Sequence, residues 1–152
     1  MVRPGEDAGE DHLERDQALK LNAGYAPAWT GRGDALYELK RYDDALSAYA
    51  KAISLRPSAE AWLGRGNVLW TFKRYDEALA AFNQALSLDP NLAAAWHGRG
   101  NVFHTLRRYQ EAFAAYDKAF GLNPLLPGTE DSRLFTKMSI CDWSNLDTEW
   151  GH

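Results

Sequence analysis

His97 and His104 are the side chains whose chemistry is most readily judged by spacing. They stand seven residues apart, two helical turns, whereas two histidines that hold one metal ion from a single helix stand four apart. No metal site is expected from them. Cys141 is the only cysteine, it has no histidine beside it in sequence, and it falls on an apolar stripe with Leu134, Phe135 and Met138. Packing is therefore a better reading of Cys141 than nucleophilic attack. The aspartates and glutamates follow helix-cap and surface patterns, with no pair placed to share general acid and base work. These residues give no catalytic constellation and call for no cofactor, so the chain is not expected to be an enzyme.

Composition narrows the classes further. The 152 residues suit one domain, and a hydrophobic fraction of 45% is enough for a packed core. Lys and Arg number 17 against 21 Asp and Glu, a net charge of -4, which offers no electrostatic footprint for a phosphate backbone. A single cysteine forms no intramolecular disulfide and fits a reducing compartment, so the expected location is cytoplasmic. The opening MVRPGEDAGEDH lacks the basic start and apolar centre of a signal peptide, and no apolar run approaches the ~20 residues of a membrane span. Neither nucleic acid nor a membrane is an expected partner.

What holds the candidate side chains in place is an internal repeat. Three segments align without internal gaps: AWTGRGDALYELKRYDDALSAYAKAISLRP, AWLGRGNVLWTFKRYDEALAAFNQALSLDP and AWHGRGNVFHTLRRYQEAFAAYDKAFGLNP. Trp29, Trp62 and Trp96 open them at intervals of 33 and 34 residues, the extra residue falling in the linker before Trp96. The same offsets recur at Gly33, Gly66 and Gly100, at Leu36, Leu69 and Phe103, and at Ala45, Ala78 and Ala112. They continue at Tyr49, Phe82 and Tyr116, at Ala52, Ala85 and Ala119, and at Pro57, Pro90 and Pro124.

Each marker has a physical reason. Trp29, Gly33 and Leu36 share one face of a first helix, and Ala45, Tyr49 and Ala52 share one face of a second, so the two faces must bury against each other. Glycine inside a helix costs roughly 1 kcal/mol relative to alanine, which places Gly33, Gly66 and Gly100 where the first helix crosses the small Ala45, Ala78 or Ala112. Asp43 and Asp76 stand at the start of the second helix, where a carboxylate can cap free amides, and Gln110 does this less well. Each proline should stop the second helix one or two residues earlier. Helices of about 13 residues are marginal alone, so stability must come from stacking one pair on the next.

This period and these markers resemble the tetratricopeptide repeat. The resemblance implies an all-α fold in which helix-turn-helix repeats form a right-handed α-solenoid. Repeats are expected at residues 26–58, 59–92 and 93–126, after an N-terminal segment at 1–25 with a partial repeat helix and before a C-terminal capping helix and tail at 127–152. In that family the first helix of each pair turns the face beside its packing face toward a concave groove. Here that face carries Thr30, Asp34 and Tyr37, then Leu63, Asn67 and Trp70, then His97, Asn101 and His104. Asn67 and Asn101 can donate and accept at once, which suits a peptide backbone, and Trp70 has the character of an aromatic anchor. The plainer reading packs Trp70 and Tyr37 against neighbouring helices.

Chaperone-binding members of the family clamp a terminal carboxylate with groove lysines and arginines. The matching positions here hold Thr30, Asp34, Leu63, His97 and Asn101, so a C-terminal carboxylate is not an expected ligand. The basic pairs Lys40 and Arg41, Lys73 and Arg74, and Arg107 and Arg108 read as solvated helix ends rather than a binding strip. Arg32, Arg65 and Arg99 also recur, with partners the sequence does not reveal.

At the N-terminus, QALKLNAGYAPAW resembles the end of a second helix whose first helix is missing. The apolar face of Leu13, Ala18 and Leu21 invites homo-dimerisation or marks part of a longer array, and a polar cap helix is an equal alternative. At the C-terminus, Leu134, Phe135, Met138 and Cys141 read as the buried stripe of a capping helix, with Thr129 as its N-cap and a short further helix from Ser144. The stretch LNPLLPG followed by KMSICDWSNLD is similar to the junction between repeats and catalytic region in bacterial relatives of SPINDLY-type O-linked N-acetylglucosamine transferases. The animal enzymes carry a groove asparagine two positions after the repeat tryptophan, where this chain has Gly31, Gly64 and Gly98. Two functions follow as expectations: a non-catalytic scaffold that holds a peptide or protein segment in the groove, or the recognition arm of a glycosyltransferase whose catalytic region lies elsewhere.

Overall fold

The structure, a computed structural model, describes residues 24–149, with side chains up to residue 140. The described residues form seven helices and no strand: α1 (Ala26–Glu38), α2 (Tyr42–Leu55), α3 (Ala59–Thr71), α4 (Tyr75–Leu88), α5 (Ala93–Thr105), α6 (Tyr109–Leu122) and α7 (Thr129–Glu149). The partial helix expected near residues 10–21 and the side chain of Cys141 lie outside the described residues.

Helices α1 and α2, α3 and α4, and α5 and α6 pair as hairpins, and each hairpin stacks on the next. The turn within every hairpin has one construction. Lys40, Lys73 and Arg107 adopt the left-handed conformation with φ of 60°, 61° and 60°. The following N–H then reaches back five residues, from Arg41 to Leu36 O, from Arg74 to Leu69 O and from Arg108 to Phe103 O, at 2.9, 2.9 and 2.8 Å. These bonds satisfy carbonyls that the helix end would leave open. Each second helix stops two residues short of its proline, at Leu55, Leu88 and Leu122.

The start of the second helix differs from the sequence expectation. Arg41, Arg74 and Arg108 occupy the N-cap, and no side chain caps the free amides there. Asp43 and Asp76 lie exposed in the first turn, where they favour the helix dipole without capping. The arginine instead bridges to the acid three residues on: Arg41 to Asp44 at 2.8 Å, Arg74 to Glu77 at 2.6 Å and Arg108 to Glu111 at 2.6 Å. The second cation of each basic pair thus stays exposed but forms an ion pair at the start of a helix, not at the end of one.

The repeated glycines also serve a different neighbour from the one expected. A Cβ on Gly33 would lie 2.6 Å from Tyr49 Cε1, one on Gly66 2.7 Å from Phe82 Cε1, and one on Gly100 2.6 Å from Tyr116 Cε1. The glycine makes room for the aromatic ring of the second helix rather than for the small Ala45, Ala78 or Ala112. A second glycine closes on the same ring from the next repeat, Gly64 on Tyr49 and Gly98 on Phe82. Each ring is held between two glycine-faced helices and is 1 to 2% exposed. Burying such a ring contributes about 2 to 3 kcal/mol and ties a repeat to its neighbour in the same contact.

Arg32, Arg65 and Arg99 lie over the tryptophan three residues before them, at 5.7, 5.4 and 5.5 Å from the ring centroids of Trp29, Trp62 and Trp96. That is a cation-π contact within one turn of helix.

Helix α1 touches α3 and α3 touches α5, whereas α2, α4 and α6 make no comparable contact with one another. The first helices therefore line the shorter, inner side of the curve, and their exposed faces make its concave surface.

Helix α7 takes the place that the first helix of a further repeat would have. Thr129 and Thr136 are fully buried, as are Ala61 and Val68 in α3 and Ala95 and Val102 in α5 at the same separation. Ser132 stands where Gly64 and Gly98 stand, and it lines the same cavity as Tyr116. Arg133 reaches back to α6, with Asp117 at 2.8 Å and the Phe120 ring centroid at 4.4 Å. Small polar residues thus form part of the packing face, where the earlier first helices carry alanine, glycine and valine. The stripe expected to be buried is turned outward, with Leu134, Phe135 and Met138 46, 60 and 62% exposed. Thr129 is the first helical residue, and its buried hydroxyl caps nothing. The further helix expected at Ser144 is instead the continuation of α7 to Glu149.

Candidate functional site

Seven of the nine side chains expected on the concave face fall into three different surroundings, and Asn67 and His97 stand apart from these. Trp70, Asn101 and His104 come together around a cavity of about 440 Å³, completed by Thr105, Tyr116, Asp131, Ser132 and Phe135. Thr30 and Asp34 belong to a separate hollow of about 710 Å³ nearer the N-terminus, shared with Arg56, Glu60 and Asp89. Tyr37 and Leu63 serve the core: Tyr37 packs edge-on against Tyr42 at 5.3 Å, and Leu63 fills space beside Ala85, Leu86 and Ala95. Trp70 is 40% exposed and remains open to a ligand, whereas the plainer packing reading applies to Tyr37.

The polar residues of the face are tied to the aromatic rings behind them in a pattern that varies between repeats. In the first repeat the Tyr49 hydroxyl donates to Asp34 Oδ1 at 2.6 Å. In the third, the Tyr116 hydroxyl donates to Asn101 Oδ1 at 2.7 Å. In the second, Phe82 replaces the tyrosine and brings no hydroxyl, so the Asn67 side-chain amide makes no hydrogen bond among the described residues. Asn67 is half-buried at the centre of the array, with a donor and an acceptor both open. Asn101 keeps its amide N–H₂ as a donor while its oxygen is occupied.

Electrostatics follow from these contacts. Burial, reinforced by the Asp34 hydrogen bond and charge, pushes the Tyr49 phenol well above its ordinary range. Burial pushes the Tyr116 phenol up to about 12, with Ser132 acting in the opposite direction. Both tyrosines are therefore neutral hydrogen-bond donors over the whole physiological range. Desolvation holds His97 below the usual imidazole value, which favours its neutral form. Its ring lies 5.5 Å from that of Tyr116. The His104 ring sits 5.3 Å from Tyr109 and 5.7 Å from Phe135, and its buried Nε2 has no hydrogen-bond partner. The two histidines answer to different neighbours, and among the described residues no group of three or more His, Cys, Asp or Glu could hold a metal ion.

The nine expected positions hold no lysine or arginine. The concave face instead presents amides, aromatic rings and carboxylates, a set suited to holding an extended chain by hydrogen bonds and stacking. Sequence reasoning missed Thr105, Asp131, Ser132 and Phe135. The signal was present in the small residues Thr129, Ser132 and Thr136, which repeat the spacing of Ala61, Gly64 and Val68 and so place α7 in register with the earlier first helices.

The model of the tetratricopeptide repeat matches residues 16–60, 30–93 and 74–127. Among solved structures, the chain is similar to the TPR domain of Arabidopsis OM64 at 23% identity and a TM-score of 0.72, covering 75% of this chain and 95% of that one. It is similar to MamA at 20% identity and a TM-score of 0.74, covering 84% and 75%. A third likeness is to the first TPR domain of Spaghetti (RPAP3) bound to the HSP90 peptide SRMEEVD, at 20% identity and a TM-score of 0.72, covering 76% and 93%. At these identities the likenesses speak for the fold. A search among curated proteins returned no significant match. Among the described residues no helix is long and apolar enough to cross a membrane.

Proposed function

Because the chain belongs to the tetratricopeptide-repeat family, we propose that it is a binding scaffold that holds an extended peptide or protein segment along the concave face of α1, α3 and α5. The observation that carries this reading is Asn67. It is the one residue of the Asp34, Asn67 and Asn101 series whose side chain is not engaged by the helix behind it, and it lies one turn from the exposed Trp70. An amide with both functions open matches the alternating N–H and C=O of a peptide backbone, and an exposed tryptophan beside it supplies apolar area.

The RPAP3 domain offers a contrast in ligand. Its peptide SRMEEVD is acidic and ends in a carboxylate. Here Asp34 faces the groove and none of the nine expected groove positions carries a cation, so the carboxylate clamp of that class has no counterpart. The partner proposed is therefore not of that class. The second reading, a glycosyltransferase's recognition arm, rests on the tail resemblance alone and uses the same groove. Location in the cytoplasm fits either reading.

The test is a pull-down from lysate with the intact chain beside a variant carrying Asn67→Ala, Trp70→Ala and Asn101→Ala, matched for helicity by circular dichroism. Partners retained by the intact chain and lost by the variant are the expected result. Equal capture by both forms would remove the groove as the working surface.

A further inference from the structure

We infer that the cavity between α3, α5 and α7 is a pocket for a cationic side chain, an arginine or lysine of the bound segment. This assignment rests on the groove reading and adds to it the chemistry of one ligand position.

The walls of the cavity are aromatic. Trp70 and Phe135 are 40 and 60% exposed, and His104 and the almost fully buried Tyr116 also line the space. At about 440 Å³ it is large enough for an extended guanidinium or ammonium side chain. Such a cation is attracted by the negative faces of aromatic rings while its methylene stem covers apolar surface.

One charge lines the cavity, and it is negative. Asp131 is exposed on the first turn of α7 and makes no hydrogen bond or ion pair among the described residues. The arginines that flank the region are already committed, Arg108 to Glu111 and Arg133 to Asp117. No residue lining the cavity is a lysine or arginine, so nothing within it neutralises Asp131. A carboxylate left unpaired beside exposed aromatic rings is complementary to a cation and repels an anion. Asn101 and Thr105 line the same space with further polar atoms, and the Asn101 amide N–H₂ remains open to the ligand backbone.

The apolar residues that α7 turns outward gain a role in this arrangement. Phe135 stands on α7 where Asn67 and Asn101 stand on α3 and α5, so the groove continues onto α7 while its chemistry changes from amide to ring.

The probes are acetyl-Ala-Arg-Ala-amide, its citrulline counterpart, which keeps the shape and loses the charge, and its glutamate counterpart. Binding is followed by NMR through the Trp70 indole N–H and the Thr105 amide of the full chain. The arginine peptide is expected to shift both resonances and to bind about fivefold more tightly than the citrulline peptide, the scale of one ion pair near a protein surface. Asp131→Asn, a change at an exposed side chain, should bring the arginine peptide down to the citrulline level. Equal binding of arginine and citrulline peptides, or an arginine affinity unchanged by Asp131→Asn, would overturn the cation pocket and leave the groove standing. Absence of any shift at Trp70 and Thr105 overturns the pocket as well. Only equal capture of partners by the intact chain and by the Asn67, Trp70 and Asn101 variant removes the groove itself.

Discussion

The Tyr49 hydroxyl donates a 2.6 Å hydrogen bond to Asp34 Oδ1, joining a ring buried between two repeats to a carboxylate on the concave face. The same bond recurs from Tyr116 to Asn101 and is missing in the middle repeat, where Phe82 leaves Asn67 open. The aromatic residue on the second helix thus decides whether the polar residue on the first is structural or available. Core and surface are coupled through one atom, the phenol oxygen.

That coupling makes stability depend on alkali. The folded state holds the Tyr49 phenol above its ordinary value, mainly by burial and then by Asp34, whereas the unfolded chain releases the proton near about pH 10. The contribution is fully present below that pH and is lost as pH rises past it, because the unfolded state gains the ionised form first. Tyr49→Phe should cost about 1 kcal/mol at pH 7, where the hydrogen bond is lost, and should flatten the fall in stability above pH 10. Urea denaturation of both proteins across pH 7 to about 11 checks the sign.

Gly66 and Gly121 give a controlled pair. A Cβ on Gly66 would meet the Phe82 ring at 2.7 Å, and Gly98 blocks the ring's retreat from the other side, while a Cβ on Gly121 meets nothing within 4 Å. Gly66→Ala should destabilise by about 2 kcal/mol despite its better helix propensity, since the overpacking penalty exceeds that gain. Gly121→Ala should stabilise by roughly 0.5 to 1 kcal/mol. Equal shifts in the denaturation midpoint would contradict the ring contact.

Lys73 occupies the left-handed position of its turn at φ 61°, which costs a residue with a Cβ about 1 to 2 kcal/mol. Lys73→Gly removes that strain and adds some backbone entropy to the unfolded chain, for a net gain of about 0.5 kcal/mol. Calorimetry should show a higher melting temperature, and the Arg74 bridge to Glu77 should persist, because Arg74 is held by its own N-cap position.

The periodic markers made the helix pairs legible because each encodes a local constraint. Trp29, Gly33 and Leu36 define a face, and Pro57 ends a helix. The partner of each glycine was not legible, since Gly33 reads equally well against Ala45 or Tyr49 until the crossing point is known. Helix α7 was misread for a related reason. An apolar stripe such as Leu134, Phe135 and Met138 predicts burial only where there is something to cover it, and α7 buries the face of Thr129 and Thr136 instead. That the Asn67 side chain lacks a hydrogen bond follows from the absence of a hydroxyl fifteen residues away, a relation visible only once Tyr49 and Asp34 are seen to touch.

Photo-crosslinking tests the central claim most directly. p-Benzoylphenylalanine placed at Trp70, on the concave face, is compared with the same group at Ala80, exposed on α4 away from it. A captured partner should crosslink from position 70 and not from position 80. Crosslinking from position 80 alone, or equally from both, would contradict binding in the groove.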